Sequence, residues 1–290
     1  MLLAMPFGRA VHGIIGLFLP RVCISCGKFI GGIEQQTPSP YPLPSRARGE
    51  EATATETETT TGQGRALSLR EATTTGTALC AECRDGIERV ARERACGRCG
   101  HGLGPHAACP ACAEEEPPFE ATVRVGTYHG PLGELVRRVK YKGVRYPVPL
   151  MAELLLARLR ESGAAGEIDV ATAVPLHWWR YYRRGFTQAA VLGRELRRRG
   201  LEAPLERLLA RVRDTPPQVG LSRTERQENV RGAFRVMRAE AVKGRRVLLL
   251  DDVMTTGATA GACARELIKA GAARVTVGVV VVAGGEGNLK

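Results

Sequence analysis

The second half of the chain alternates between short apolar runs and longer segments in which apolar residues recur every three or four positions. The short runs, rich in β-branched residues, predict buried strands at 121–129, 169–174, 247–252 and 274–283. The longer segments predict helices at 133–141, 148–162, 187–200 and 258–270. Residues 205–212 fit either element. This alternation predicts an α/β domain in which a doubly wound parallel sheet carries helices on both faces.

The first 118 residues do not show this alternation. Residues 33–79 are rich in threonine and proline and poor in apolar residues. They cannot bury enough apolar surface to offset the entropy of ordering, so we expect a disordered insert. The apolar run within residues 1–21 is short and stops at Pro20 and Arg21. Because no small-residue cleavage site follows it, we interpret residues 1–21 as an N-terminal arm or helix rather than a signal peptide.

These boundaries divide the 290 residues into the arm, a cysteine-rich module at 22–117 and the α/β domain at 118–290. No apolar run approaches the ~20 residues of a membrane-spanning helix, so we expect a cytoplasmic protein without a membrane span. The net charge is −1 over residues 1–118 and +13 over residues 119–290. A basic domain favours phosphate-bearing ligands, either small molecules or nucleic acids, although ordinary solubility also accounts for such a charge.

Eight of the nine cysteines form four C-x-x-C pairs: Cys23 and Cys26, Cys80 and Cys83, Cys96 and Cys99, Cys109 and Cys112. One such loop presents two thiolates to an ion and two loops complete a tetrahedral site, which predicts two structural Zn²⁺ ions. Pairing neighbours in sequence groups the first four cysteines and the last four, while a cross-braced arrangement stays open. Disulfides would need an oxidising compartment, and iron–sulfur clusters also stay open. We interpret Cys263 as a packed helix residue.

The run VLLLDDVMTTGATA at 247–260 joins a strand to a helix through a polar loop. A helix N-terminus offers free N–H groups to a phosphate, threonines add hydroxyl donors, and glycine allows close approach. Two carboxylates beside a phosphate would repel it unless they bind another part of the ligand, such as the vicinal hydroxyls of a ribose. We therefore predict a 5-phosphoribosyl site formed by Asp251, Asp252, Thr255, Thr256, Gly257, Ala258 and Thr259. A receiver domain, a Walker B strand and a simple helix cap are the competing interpretations, and no Walker A loop exists in the chain.

The same run resembles the phosphoribosyl-pyrophosphate (PRPP) motif of type I phosphoribosyltransferases. More widely, the chain resembles the ComF family of competence-associated proteins, which carry such a domain behind an N-terminal double zinc ribbon. The supporting stretches are the four cysteine pairs, YHGPLGELVRRVKYKG at 128–143, VPLHWWRYYRRGFTQA at 174–189 and RTERQENVRGAF at 223–234. Thr187 departs from the family pattern, which usually has asparagine there.

The resemblance also implies the function of two loops. The loop after the strand at 169–174 would wrap the pyrophosphate with Arg180, Arg183 and Arg184. Its interleaved aromatic residues also fit stacking on single-stranded bases. Segment 213–231 would be the flexible loop that closes over the ligand, supplying Arg223, Arg226 and Arg231. Lys140 is a further candidate for binding the phosphate. The alternative interpretation is that it is an ordinary solvated lysine on a helix.

As a member of this family the protein would bind PRPP with Mg²⁺ and transfer its phosphoribosyl group to an unknown acceptor, linked to natural competence and DNA uptake. The catalytic residues stay unknown, because no general base stands out. The alternative is a protein that handles single-stranded DNA, in which the PRPP site is regulatory or vestigial. A competence helicase or DNA-processing protein that docks on the cysteine module is the remaining expected partner.

Overall fold

The computed structural model describes residues 22–30, 79–176, 187–216 and 220–284. Its strands are β1 (Ala121–Thr127), β2 (Val170–Ala173), β3 (Leu209–Arg211), β4 (Phe234–Val236), β5 (Arg246–Met254) and β6 (Arg274–Val282). Its helices are α1 (Ala81–Ala91), α2 (Pro110–Glu114), α3 (Gly130–Lys142), α4 (Val148–Glu161), α5 (Gln188–Arg198), α6 (Arg223–Val230) and α7 (Ala258–Lys269). A 3₁₀ turn covers Ala164–Glu167. None of the helices in these ranges has the length and apolarity that crossing a bilayer requires.

Four strands form a parallel sheet in the order β1-β6-β5-β2, which confirms the predicted α/β class. The central strand β5 is apolar on both faces. Val247 and Leu249 pack in one core with α7, whereas Leu248 and Leu250 pack in a second core with α4 and α5. Because side chains alternate across a strand, these two cores lie on opposite faces of the sheet.

Two segments differ from the expectation. Strand β5 continues past the two aspartates to Met254, because Val253 and Met254 still pair with the end of β6. Residues 213–231 are not a continuous loop, since they contain α6. That helix starts with a capping box in which Ser222 Oγ accepts from Glu225 N–H at 3.3 Å and Glu225 accepts from Ser222 N–H at 2.7 Å. The ambiguous segment 205–212 supplies β3, which pairs with β4 in an antiparallel ribbon.

The cysteine module packs directly on the α/β domain. Helix α1 lies against α3 so closely that a Cβ at Gly86 would stand 2.8 Å from Pro131 Cγ. Ile87 is fully buried there and belongs to the same apolar core as Leu132 and Cys83. The module and the domain therefore share one hydrophobic core rather than meeting through a linker.

Replacing Ile87 with alanine should lower the free energy of unfolding by about 2–5 kcal/mol, because it opens a cavity in the shared core. Chemical denaturation should show a single transition at a lower midpoint. Ile268→Ala is the matched control, since that side chain is 45% exposed. A separate early transition for the module, with the rest of the curve unchanged, would contradict a shared core.

Candidate functional site

The eight paired cysteines form two clusters of four, and within each cluster the four sulfur atoms lie within 4.8 Å of one another. The first cluster comprises Cys23, Cys26, Cys80 and Cys83, and the second comprises Cys96, Cys99, Cys109 and Cys112. This confirms the pairing of neighbours in sequence. Sulfur–sulfur distances of 3.4 to 3.8 Å are close to the edge of about 3.8 Å in a tetrahedron with ~2.3 Å zinc–sulfur bonds.

Both clusters are built in the same way. In each, the first pair sits in a tight turn: Gly27 N–H donates to Cys23 O at 2.9 Å, and Gly100 N–H donates to Cys96 O at 2.8 Å. Both glycines have positive φ, which side-chain-bearing residues rarely adopt. The second pair of each cluster comes from the start of a helix, α1 or α2. The cysteine module is thus the same structural unit repeated twice.

The turns prepare their first cysteine for a metal. Burial alone would raise the pKa of Cys23, but N–H groups of Cys26, Cys80 and Ser25 point at its sulfur and lower that pKa to about 6. At Cys96, burial likewise opposes ionisation, and backbone N–H groups of the same turn lower the pKa overall. Burial raises the pKa of Cys83 and Cys99. Four sulfurs this close cannot all ionise without a cation, so the donor set fits a soft divalent ion such as Zn²⁺.

A buried arginine lies next to the second cluster. Arg124 on β1 is only 6% exposed, and its Nη1 and Nη2 atoms have no hydrogen-bond partner. The carboxylate of Glu93 is 3.9 Å from Nη2. On the same face of β1, Thr122 donates through its N–H and its hydroxyl to the backbone of the Cys96–Cys99 turn, both at 2.7 Å. A four-thiolate zinc site would carry a net charge of −2, which this guanidinium partly balances.

The predicted phosphate site lies where β5 leads into α7. Gly257 precedes the helix with φ of +78°, and Gly261 N–H donates to its carbonyl at 2.7 Å. Thr256 Oγ1 accepts from Ala258 N–H at 3.4 Å. The threonine loop, residues 255–259, therefore sits at the positive end of a twelve-residue helix, where backbone N–H groups favour an anion.

The two aspartates precede this loop on β5, and both are partly exposed. Asp251 Oδ1 accepts from Asp252 N–H at 2.9 Å. The surrounding protein desolvates Asp251 and raises the pKa of its carboxyl well above the usual range; the charge of Asp252 adds to this rise, and Lys140 on α3 opposes it. A carboxyl group whose pKa is shifted in this way by burial and by a neighbouring charge is a candidate for a functional site.

The structure places two of the remaining predicted arginines, Arg223 and Arg231, in different clefts. Arg223 on α6 donates to Glu114 of the cysteine module at 2.9 Å and lies 3.6 Å from Glu115. It also lines a cleft of about 40 Å³ together with Thr256 and Gly257. Arg231 lines a separate groove of about 550 Å³ between α6 and α7. Arg226 has a buried Nε atom without a hydrogen-bond partner. Arg180, Arg183 and Arg184 lie outside the described residues.

Sequence reasoning missed His101. Its Nδ1 lies 3.4 Å from Cys99 Sγ, and its ring lines the same cleft as the threonine loop. The signal in the sequence was its position directly after Cys-x-x-Cys-Gly. The residue at this position closes the turn by a backbone hydrogen bond, in which Cys96 N–H donates to the His101 carbonyl at 2.8 Å.

Comparison with known proteins identifies the family to which this chain belongs. The family model described as "Phosphoribosyl transferase domain" matches residues 182–290. Competence protein F of Haemophilus influenzae is 33% identical over 205 residues, which cover 69% of this chain and 88% of that protein. The chain belongs to the competence protein F family. DNA utilization protein YhgH of Salmonella typhi, another member, is 33% identical over 203 residues, covering 69% of this chain and 88% of that protein.

Among solved structures, one titled "Structure of the allosteric regulatory enzyme of purine biosynthesis" is 26% identical and covers 46% of this chain and 24% of that chain. Its TM-score is 0.30. The family match itself means that this competence protein F relative carries a phosphoribosyltransferase domain behind a module with two four-cysteine clusters.

Replacing Arg124 with methionine should weaken Zn²⁺ binding at the second cluster by up to about 10-fold, because it removes a positive charge that acts on Cys99 through space without a hydrogen bond to it. Competition with a chelator should detect one weakened ion per chain, while the first cluster serves as an internal reference. Arg124→Lys should retain most of the affinity because it keeps the charge. Equal affinities in the methionine variant and the unchanged protein would show that the guanidinium serves Glu93 alone.

Proposed function

We propose that the protein binds PRPP with Mg²⁺ in its phosphoribosyltransferase domain and transfers the phosphoribosyl group to an acceptor. The observation that carries this proposal is the placement of Asp251 and Asp252 directly before a threonine loop at a helix N-terminus. Carboxylates accept hydrogen bonds from hydroxyl groups, and the helix N-terminus attracts phosphate. A sugar phosphate satisfies both demands with one molecule.

In the proposed reaction, the bond between ribose C1 and the pyrophosphate oxygen breaks, the electron pair leaves with pyrophosphate, and the acceptor forms a new bond to C1. Mg²⁺ bound to PRPP would neutralise charge on the leaving group. The chain holds the ribose hydroxyls on Asp251 and Asp252 and the 5-phosphate on the threonine loop. Its contribution is positioning and electrostatic stabilisation. Arg180, Arg183 and Arg184 stay predictions for the pyrophosphate, and the acceptor stays unassigned.

The two cysteine clusters would each hold one Zn²⁺ ion in a structural site. Support comes from the tetrahedral spacing of the four sulfurs and from the backbone N–H groups that favour the thiolate of Cys23 and Cys96. Four protein sulfurs complete the coordination sphere, which leaves no position for a substrate. Metal binding would then contribute to the stability of the core that the module shares with the domain.

Binding of single-stranded DNA is the second candidate function. Two relatives are named for competence and DNA utilization. Three aromatic side chains are exposed in this region: Phe29 beside the first cluster, Tyr141 on α3 and Tyr146 in the connection between α3 and α4, at 73%, 69% and 50%. Tyr146 accepts a hydrogen bond from Arg138 at 3.1 Å. Exposed aromatic rings beside cations are what single-stranded bases stack on. A cytoplasmic location and a helicase or DNA-processing partner stay predictions.

Asp252→Asn should reduce the affinity for PRPP·Mg²⁺ by at least ~10-fold, because a charge-assisted hydrogen bond becomes a neutral one. Isothermal titration measures the change, and Asp85→Asn, at an exposed position on α1, is the control. Pyrophosphate release in the presence of a panel of amines and bases then tests transfer. If the unchanged protein gives no binding heat with PRPP·Mg²⁺, the proposed site is wrong.

Phe29→Ala and Tyr146→Ala should each weaken binding of a single-stranded oligonucleotide about 5-fold or more, since each stacked base contributes roughly 1–3 kcal/mol. Fluorescence anisotropy at several salt concentrations separates this loss from general electrostatic attraction. Met237→Ala removes another exposed apolar side chain, which is 51% exposed beside the β3–β4 ribbon, and should change nothing. Equal losses in all three variants would argue against stacking on this surface.

A further inference from the structure

Helix α5 begins with a buried side chain whose amide nitrogen lacks a partner. Gln188, the first residue of the helix, is only 6% exposed, and its Nε2 atom has no hydrogen-bond partner among the residues that the structure describes. A buried N–H donor without a partner destabilises a fold, so such donors are rare in native proteins and need an explanation. A ligand that accepts from the amide when it binds is one such explanation.

The course of α5 places Gln188 at the carboxyl end of the sheet. The helix leads from β2 to Leu205, and Leu205 pairs with Ala171 of β2 in the parallel sense. A connection between parallel neighbours begins where the first strand ends and runs back along the sheet. Helix α5 is therefore antiparallel to the strands, and its first residue lies at the same end of the sheet as Asp251 and Asp252.

Distances along the helix and along the strand put Gln188 level with Asp252. A Cβ at Gly193 would stand 3.1 Å from Leu250 Cδ1, which fixes where α5 crosses β5. Gln188 lies five residues before Gly193, which is about 7.5 Å along a helix. Asp252 lies two residues after Leu250, which is roughly 7 Å along a strand. The two residues are thus at the same height along the direction of β5.

Both side chains also face the space between α5 and the end of β5. Gln188 shares one face of α5 with Leu192, four positions later, and Leu192 is buried in the core that contains Leu248 and Leu250. Asp252 alternates with these two leucines along β5, which stays in register with β6 beyond this position, so its carboxylate projects to the same face. Side chains on a helix lean towards the helix N-terminus. The amide of Gln188 therefore extends over the carboxyl end of β5.

We propose that Gln188 is a further binding residue of the ligand site, and that its amide donates to the ribose hydroxyl group that donates to Asp252. An ionised carboxylate only accepts hydrogen bonds and an amide nitrogen only donates them, whereas a hydroxyl group does both. One hydroxyl group held between the two side chains satisfies the buried donor and the acid together. This assignment rests on the proposed function, because it names an atom of the sugar.

The stability of the Gln188→Met variant tests whether the fold itself needs the amide. Methionine is similar to glutamine in length and helix propensity but has no donor. The denaturation midpoint of the full, unliganded chain should therefore be equal to or higher than that of the unchanged protein. Arg194→Met, at an exposed position on the same helix, is the matched control. A lower midpoint in Gln188→Met alone would overturn the proposal, because it would show that the amide supports the fold.

Ligand binding then tests the assigned atom. Isothermal titration should show that Gln188→Met binds PRPP·Mg²⁺ about 3- to 10-fold more weakly than the unchanged protein, as expected for one lost hydrogen bond. Ribose 5-phosphate, titrated separately, should lose affinity by the same factor. Pyrophosphate·Mg²⁺, which has no sugar, should bind equally to both proteins, and Arg194→Met should bind all three ligands as the unchanged protein does.

The outcomes separate this assignment from the proposed function. If Gln188→Met keeps its full affinity for the two sugar phosphates, or loses affinity for pyrophosphate·Mg²⁺ and not for ribose 5-phosphate, the assignment of the amide is wrong and the proposed function stands. If the unchanged protein binds neither sugar phosphate, the proposed function is refuted and the assignment fails with it.

Discussion

The burial of strand β5 on both faces of the sheet determines where the domain can place polar side chains. The strand is hydrogen-bonded to β2 on one side and to β6 on the other, and Val247 to Leu250 are buried on both faces. Such a strand tolerates polar side chains only where its covering helices end. Asp251 and Asp252 directly follow this buried run near the carboxyl end of β5, and in parallel sheets ligands bind at the carboxyl ends of the strands. The hydrophobic cover of the sheet therefore determines where the acidic pair can face a ligand.

The cysteine module depends on the same sheet. Its first unit completes the apolar core around Ile87 and Leu132, and its second unit hydrogen-bonds to Thr122 at the outer edge of β1. An edge strand with unpaired backbone groups invites unwanted pairing, and covering it removes that hazard. The module thus contributes both apolar area and an edge cover to the domain. The cysteine module and the phosphoribosyltransferase domain therefore form one folded unit.

Local patterns predicted much of this structure. The C-x-x-C spacing identified both clusters, and the run from Val247 to Ala260 identified a strand, a polar loop and a helix, because each depends on neighbours in sequence. The helix α6 was missed although Ser222 and Glu225 form a readable capping box; its polar composition concealed it. The cleft that His101 and Thr256 both line, and the burial of Arg124, depend on segments that are distant in sequence. Such contacts follow from tertiary packing, which no local pattern encodes.

The ion pairs of Arg223 illustrate how that packing bears on function. This arginine was predicted to reach a phosphate, yet it contacts Glu114 and Glu115 at 2.9 and 3.6 Å. Glu114 is 74% exposed, and exposed pairs of this kind are worth about 1 kcal/mol or less. A multiply charged phosphate near Thr256 would compete effectively with them, since bidentate contacts between arginine and phosphate are stronger. Because these ion pairs are weak, little free energy would be lost when they break. They keep Arg223 in the wall of the cleft that also contains Thr256, where it could contact a bound phosphate.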